Sequence, residues 1–475
     1  MCRSKCAGRK GRNRLGLRTV RPSMARIEHI VVLMLENRSF DCMLGRLYPD
    51  WPDFDGLRGD EANPLTLPDG SHQMIRVWNE PQITPENACI PDPDPGELFD
   101  DITMQIFGLG KGPADPPTMS GFVDNYVRQP DGGSRDPRAV MHYFTPDQVP
   151  VISALARAFG VCDRWFGAGP CQTWPNRLFA HTGAAGGRVN NEAIPLPFFL
   201  RTVFTRLGRC GRSWKVYFHD LPQTAALLDL WPRLLTNFLL FEPDFIGDAR
   251  NGTLPNYSFI EPRYFPSILS GAPPNDEHPP HNVMYGEQLI ASVYNAIRGG
   301  AGWTRTLLLI TYDEHGGCYD HVPPPPAVPP GPPYSDGFTF DRYGVRVPAV
   351  VVSPWIPAGS VIRPPPGGAP FDHTSILATL HKLFEIGPPP TARVAAAPDL
   401  LMALTLDRPD NSGPQCLDVS ETSADREEIR ALLRLERNGH QRRLRHPFAR
   451  IPGAMARAAG HFHTHRRRKL TESAE

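Results

Sequence analysis

The chain has 475 residues with 50 Lys+Arg against 50 Asp+Glu, so its formal net charge is zero. That balance excludes a protein that holds nucleic acid by overall charge. No window reaches the roughly 18 consecutive apolar residues that a membrane-spanning helix needs, and 54 prolines beside 40% hydrophobic residues predict a loop-rich but folded chain.

Residues 1–26 are basic and lack the apolar stretch of a signal peptide. They are expected to form a disordered arm, with a cytoplasmic location as the default and a periplasmic or secreted one as the alternative. The nine cysteines make no C-x-x-C pair, which argues against a zinc ribbon or a thioredoxin-like site. Ile30-Val-Val-Leu-Met-Leu35 is a continuous apolar run and reads as a central strand buried on both faces. It ends in Glu36-Asn-Arg-Ser-Phe-Asp41. Residues 46–140, rich in Pro, Asp and Gly, read as a long irregular insertion. Helical spacing over 149–159 predicts a helix. A short helix is expected over 174–182, with Pro175 in its first turn and Gly183 at its end.

Trp214-Lys-Val-Tyr-Phe218 and Tyr257-Ser-Phe-Ile260 look like further strands, and 282–298 like an amphipathic helix. The apolar run Thr306-Leu-Leu-Leu-Ile-Thr311 then leads into Tyr312-Asp-Glu-His-Gly-Gly-Cys-Tyr-Asp-His321. A Pro-rich loop follows over 323–333, then a strand over 347–352. Asp372-His-Thr-Ser375 opens a helix, 400–406 adds a short element, and 427–437 is a charged helix. After His440 the chain is strongly basic, with Arg466-Arg-Arg-Lys469 near its end. No internal repeat is visible. The expected layout is a catalytic domain over 27–410, flanked by the arm and by a C-terminal helix with a basic tail over 411–475.

The strand ends carry the chemistry. In a parallel sheet the carboxyl ends of neighbouring strands converge on one crevice. Glu36, Asn37, Asp313 and Glu314 would bring three carboxylates and an amide there, a donor set for a hard divalent cation. Adjacent carboxylates after a buried strand repel each other unless a cation or protons intervene. The plainer reading of Glu36 is a cap or ion pair at a loop start. Thr173, in Gln172-Thr-Trp-Pro-Asn-Arg177, falls where an N-cap would be, beside free N–H groups suited to phosphate. A cation there would make its hydroxyl a nucleophile; otherwise it is a simple cap. Arg177 could clamp a phosphate or pair with a surface acid. His278, His315, His321 and His373 each sit in a polar loop after an element, as donors for non-bridging oxygens or an acid for a leaving group.

Taken in order, these stretches resemble the bacterial phospholipase C / acid phosphatase family of phosphoesterases, which is related to plant non-specific phospholipase C. Ile27–Asp41, Thr173–Leu178, Asp276-Glu-His-Pro-Pro280, Tyr312–His321, Gly344-Val-Arg-Val-Pro348 and Phe371–Ser375 carry the resemblance. It implies an alkaline-phosphatase-like α/β/α sandwich with a mostly parallel central sheet. It implies that Glu36, Asn37, Thr173, Asp313 and Glu314 hold a metal, that Thr173 is the nucleophile, and that the four histidines surround the phosphoryl group. Cys42, Cys318 and Trp174 depart from residues common in the family, which bears on pocket shape. The expected activity is hydrolysis of phospholipid phosphodiesters through a phosphothreonine, dependent on Ca²⁺, Mg²⁺, Mn²⁺ or iron. Acid phosphatase action on monoesters is the alternative. The basic tail could add peripheral contact with an anionic membrane.

Overall fold

The computed structural model describes residues 26–130, 135–194, 198–267, 269–418, 424–435 and 437–450. The expected basic arm, apart from Arg26, and the basic tail beyond 450 lie outside the described residues. Twelve strands are described: β1 His29–Leu35, β2 Ala62–Thr66, β3 His72–Arg76, β4 Gly160–Val161, β5 Trp165–Phe166, β6 Trp214–Phe218, β7 Phe238–Leu240, β8 Tyr257–Glu261, β9 Thr306–Tyr312, β10 Ala349–Val352, β11 Ser360–Val361 and β12 Phe371–Asp372. Eight of them form one sheet in the order β11-β4-β10-β9-β1-β8-β6-β7.

The sheet is mostly parallel, as expected. β1 pairs in parallel with both β8 and β9, and β6 pairs in parallel with β7 and β8. β10 runs antiparallel to β9 and β4. Every residue of β1, β8, β9 and β10 is buried. Strands buried on both faces need cover on both sides of the sheet, which explains their uninterrupted apolar sequences.

Two pairs of helices contribute to the core packed around the sheet. The Pro150–Ala158 helix packs with Val283–Arg298, and the Thr173–Thr182 helix packs with Thr374–Phe384. Val283–Arg298 starts where Asn282 accepts a hydrogen bond from the Met284 N–H at 2.9 Å, a normal cap. Its Leu289, Val293 and Ile297 point into the core, each burial worth about 1.5–3 kcal/mol. Its Glu287 accepts from the N–H groups of Val151 and Ile152, at 2.5 and 3.1 Å, and so caps the Pro150–Ala158 helix. No helix of the described residues is long and apolar enough to cross a membrane.

Residues 46–140 are more ordered than their composition suggests. β2 and β3 form an antiparallel hairpin, and helices Phe99–Phe107 and Phe122–Val127 pack beside it. Together they enclose a second core that includes Ile75, Ile102, Ile106, Phe122, Val123 and Tyr126. The segment lacks a strong period because each element is short and only part of each face is buried.

Candidate active site

Parallel pairing of β1 with β9 sets Leu35 opposite Tyr312. The residues that follow each strand therefore emerge side by side, and the Asp313 N–H donates to the Leu35 carbonyl at 3.2 Å. Asn37 then turns into the left-handed region at φ 57°, which Asn tolerates better than most residues. Its backbone N–H donates to Asp313 Oδ1 at 3.2 Å and its side-chain Nδ2 to Glu314 Oε1 at 2.9 Å. Gly316 is required beside it. At φ +60° a Cβ on residue 316 would lie 2.2 Å from the Asn37 carbonyl oxygen. Sequence reading treated that Gly pair only as part of the motif; in the structure Gly316 lets the loops that follow β1 and β9 touch.

All five residues expected to hold a metal are buried. Burial, then the neighbouring Asp313 charge, raises Glu36 well above the usual carboxylate range. Burial, then the Glu97 and Asp313 charges, does the same to Glu314. Arg177 relieves part of this strain. Its Nε donates to Asp313 Oδ2 at 2.8 Å, and one of its terminal nitrogens lies 3.3 Å from Glu36 Oε1. Arg177 is thus neither a surface pair nor a free phosphate clamp. It is a buried cation between the two strand ends.

Arg177 also locates Thr173. The two residues are four apart in the Thr173–Thr182 helix, so they lie on one face. The helix caps differently from the expectation: Gln172 is the N-cap and Thr173 the first helical residue. The Trp174 N–H donates to Asn191 Oδ1 at 2.8 Å, Pro175 has no N–H, and the Asn176 N–H bonds to Gln172 O. Few backbone donors remain there for a phosphate. The Thr173 hydroxyl itself is buried with no hydrogen-bond partner.

The four histidines separate. His278 joins the centre, with Nε2 3.0 Å from Asn37 Nδ2 and 3.2 Å from Glu97 Oε1. Burial pushes it down, but Asp94 and Glu97 outweigh burial and hold it well above its ordinary value. His315 lies 3.3 Å from Glu314 and bonds Gln105 Oε1 at 2.8 Å, and burial pushes it down to about 3. His373 has both ring nitrogens engaged, with the Asp313 carbonyl at 2.6 Å and the Trp165 indole at 3.3 Å. It props the loop from behind. His321 belongs to a different group, bonded to Asp41 at 2.7 Å. Arg346 neutralises that group by pairing with Asp41 and Asp320 at 2.9 Å each.

Among the described residues two clusters of His and carboxylates have metal-like spacing: Asp94-Glu97-His278 and Asp41-Asp320-His321. Arg346 already balances the second. The first contains two residues that sequence reading missed, Asp94 and Glu97. Their signal was the run Asp92-Pro-Asp-Pro-Gly-Glu97, three carboxylates in a turn-forming stretch. Glu97 accepts from Asn37 Nδ2 at 2.5 Å. The expected ligand set also passes a donor test. Both Glu36 carboxylate oxygens, Asn37 Oδ1 and Thr173 Oγ1 are buried without hydrogen-bond partners, and such oxygen donors suit a hard divalent cation. Asp313 and Glu314 are engaged by Arg177 and Asn37 and would share those bonds with an ion. One more ring reaches the centre: His440 Nε2 lies 3.4 Å from Glu36 Oε1.

Comparison with known proteins places this geometry in context. The sequence profile of the Phosphoesterase family matches residues 27–387. Non-specific phospholipase C3 of Arabidopsis thaliana is 40% identical over 380 residues, covering 77% of this chain and 71% of the relative. Phospholipase C A of Mycobacterium tuberculosis is 28% identical over 433 residues, covering 81% and 78%. Among solved structures, the phosphonate monoester hydrolase of Agrobacterium radiobacter aligns at 14% identity and a TM-score of 0.30, over 54% of this chain and 72% of that one.

Proposed function

The chain belongs to the Phosphoesterase family and hydrolyses phosphoesters, and from that premise we propose that it is a metal-dependent phospholipase C acting through a phosphothreonine. The observation that carries this reading is the buried, unpartnered Thr173 hydroxyl on the helix face whose Arg177 binds Glu36 and Asp313. Glu36, Asn37, Thr173, Asp313 and Glu314 would hold the cation. When bound, a divalent cation lowers the pKa of a coordinated hydroxyl and polarises phosphoryl oxygens. Thr173 gives up its hydroxyl proton to solvent, its Oγ1 attacks phosphorus, and the bond to the diacylglycerol oxygen breaks. His278, which its carboxylate neighbours favour in the charged form, gives that oxygen its proton. Water then cleaves the threonine ester and releases the phosphorylated head group.

The substrate is tested with a panel: a phosphatidylcholine vesicle, p-nitrophenyl phosphate, its choline diester and its sulfate, each with chelated and metal-reconstituted protein. We expect diester hydrolysis that the chelator abolishes and one of Ca²⁺, Mg²⁺, Mn²⁺ or Fe²⁺ restores. Hydrolysis of the monoester alone would convert the reading to acid phosphatase. Full activity after chelation would remove the metal from it.

His278→Gln separates the acid from the rest of the site. General acids contribute on the order of 10²–10⁴-fold, so the variant should lose that much on the phospholipid, whose leaving alkoxide needs a proton. p-Nitrophenolate leaves without one, and there the loss should be far smaller. An equal loss on both substrates would remove His278 from the acid's role.

A further inference from the structure

The segments that follow β1 and β9 stay in contact beyond the candidate ligands. Ser39 Oγ donates to the Tyr319 carbonyl at 2.6 Å, and the Asp41 N–H donates to Asp320 Oδ2 at 3.2 Å. Beside these contacts lie two cysteines, Cys42 and Cys318. Both are buried in the main core, and both are free thiols. Their side chains meet, with the Cys318 S–H donating to Cys42 Sγ. The backbone fixes each half of the pair. The Cys42 N–H bonds to Ser39 Oγ at 3.1 Å, and the Cys318 N–H bonds to the His315 carbonyl at 3.1 Å.

The surroundings give the two thiols different characters. Arg38 is fully buried, its Nε tied to the Glu277 carbonyl at 2.8 Å, and its guanidinium donates to Cys42 Sγ. The Cys318 hydrogen bond, together with the Arg38 charge, holds Cys42 below the ordinary thiol value against the opposing effect of burial. Burial, then the bond given to Cys42, raises Cys318 well above it. Cys42 is thus favoured as the thiolate, which is the nucleophile in thiol oxidation, and Cys318 is a neutral thiol in contact with it. Buried Cys162 and Cys171 differ. Burial dominates both and pushes them well above the ordinary value, and the charges acting on them come from carboxylates and arginines.

We propose that Cys42 and Cys318 form a reversible disulfide when the protein meets a peroxide, cross-linking the loops that follow β1 and β9. The Cys42 thiolate attacks one peroxide oxygen, the O–O bond breaks, and the other oxygen leaves as water after taking a proton. This oxidises Cys42 to a sulfenic acid. Cys318 sulfur then attacks Cys42 sulfur, the S–O bond breaks, and hydroxide leaves as water with the Cys318 proton. Two thiols are oxidised and one peroxide is reduced to two waters. The bond ties together the segments that carry Asn37 and Glu314 just upstream.

The test uses the full, reduced chain. It is treated with hydrogen peroxide until exposed Cys210 and Cys416 are fully modified, then unfolded, alkylated with iodoacetamide and mapped by peptide mass. We expect the Cys42 and Cys318 peptides to be joined, two hydrogens lighter than their sum, and dithiothreitol to separate them. A disulfide that closes a long loop stabilises the fold, so the oxidised protein should melt about 3–6 °C higher, reversibly with dithiothreitol. Cys318→Ala should lose the joined peptide and the shift, leaving Cys42 as a sulfenic acid that dimedone captures. The proposal fails if both residues are alkylated, because they then stayed reduced where exposed thiols did not. It fails if either is joined to another cysteine, or if Cys42 reaches the sulfinic acid with Cys318 still free. A melting shift that survives in Cys318→Ala overturns the stabilising cross-link. If Cys318→Ala does not fold, Cys42→Ala replaces it, and there neither joined peptide nor shift should appear. None of these readouts uses turnover, so an inactive parent leaves the outcome decisive.

Discussion

Thr173→Ala will lose at least roughly 10³-fold in kcat, about 4 kcal/mol of barrier, while staying folded. The two halves of that expectation have separate causes. A covalent mechanism has no substitute for its nucleophile, so turnover falls to what cation and binding residues achieve without it. The fold is spared because the Thr173 hydroxyl has no hydrogen-bond partner, so its removal orphans no donor or acceptor. Alanine also suits a first helical turn. The small void left behind in a fully buried position limits the stability loss to about 1–2 kcal/mol. Acid-quenched parent enzyme should carry one phosphoryl-linked adduct on the peptide containing Thr173, visible by mass, and the variant should carry none. Thr173→Ser, which keeps the hydroxyl, should retain the adduct. Activity of Thr173→Ala within tenfold of the parent, a loss of only about 1.4 kcal/mol, would falsify the covalent route.

What the sequence revealed and what it hid follow from the same physics. β1, β9 and β10 were legible because strands covered on both faces must be apolar throughout, and the carboxylates directly after β1 and β9 stood out against them. Their convergence needed only parallel pairing, which the register delivers. β4, β5, β11 and β12 were invisible, because a two-residue strand has no period to detect. The histidines show the limit of reading by proximity in sequence. His315 and His321 share one motif, yet the chain turns between them, and His321 joins Asp41 and Arg346 instead of the Glu314 side. Glu97 and His440 were missed for the opposite reason. Each reaches the centre from far along the chain: the acidic run around Glu97 was visible, but nothing in spacing ties it to Asn37 or ties His440 to Glu36. The strand-end pattern and the resemblance to a family both pointed to Glu36, Asn37, Asp313 and Glu314 as candidate ligands, and both were silent on Arg177 as the internal counter-ion.

Removing that counter-ion should produce the largest change in stability. Arg177 is fully buried, with Asp313 at 2.8 Å and Glu36 at 3.3 Å, and it also donates to the Met34 and Leu35 carbonyls at 3.3 Å each. Arg177→Met keeps most of the volume but leaves two buried carboxylates unpaired, which costs about 3–5 kcal/mol. The loss has a direction in pH. Burial already raises both carboxyls above their ordinary values, and the Arg177 charge opposes that rise. Without it they rise further. A carboxyl raised in the folded state favours folding while it is protonated, and that advantage disappears as pH climbs through its folded value. Urea unfolding should therefore find Arg177→Met most destabilised near about pH 8 and least near about pH 5. A divalent cation offers the carboxylates another partner, and at 100-fold over its Kd it would restore about 2.7 kcal/mol at the higher pH. Activity should fall even where stability recovers, because the guanidinium also orients Asp313 Oδ2 against the helix that bears Thr173. A variant as stable as the parent at the higher pH, or one hurt more by acid than by base, would mean that Arg177 does not neutralise this pair.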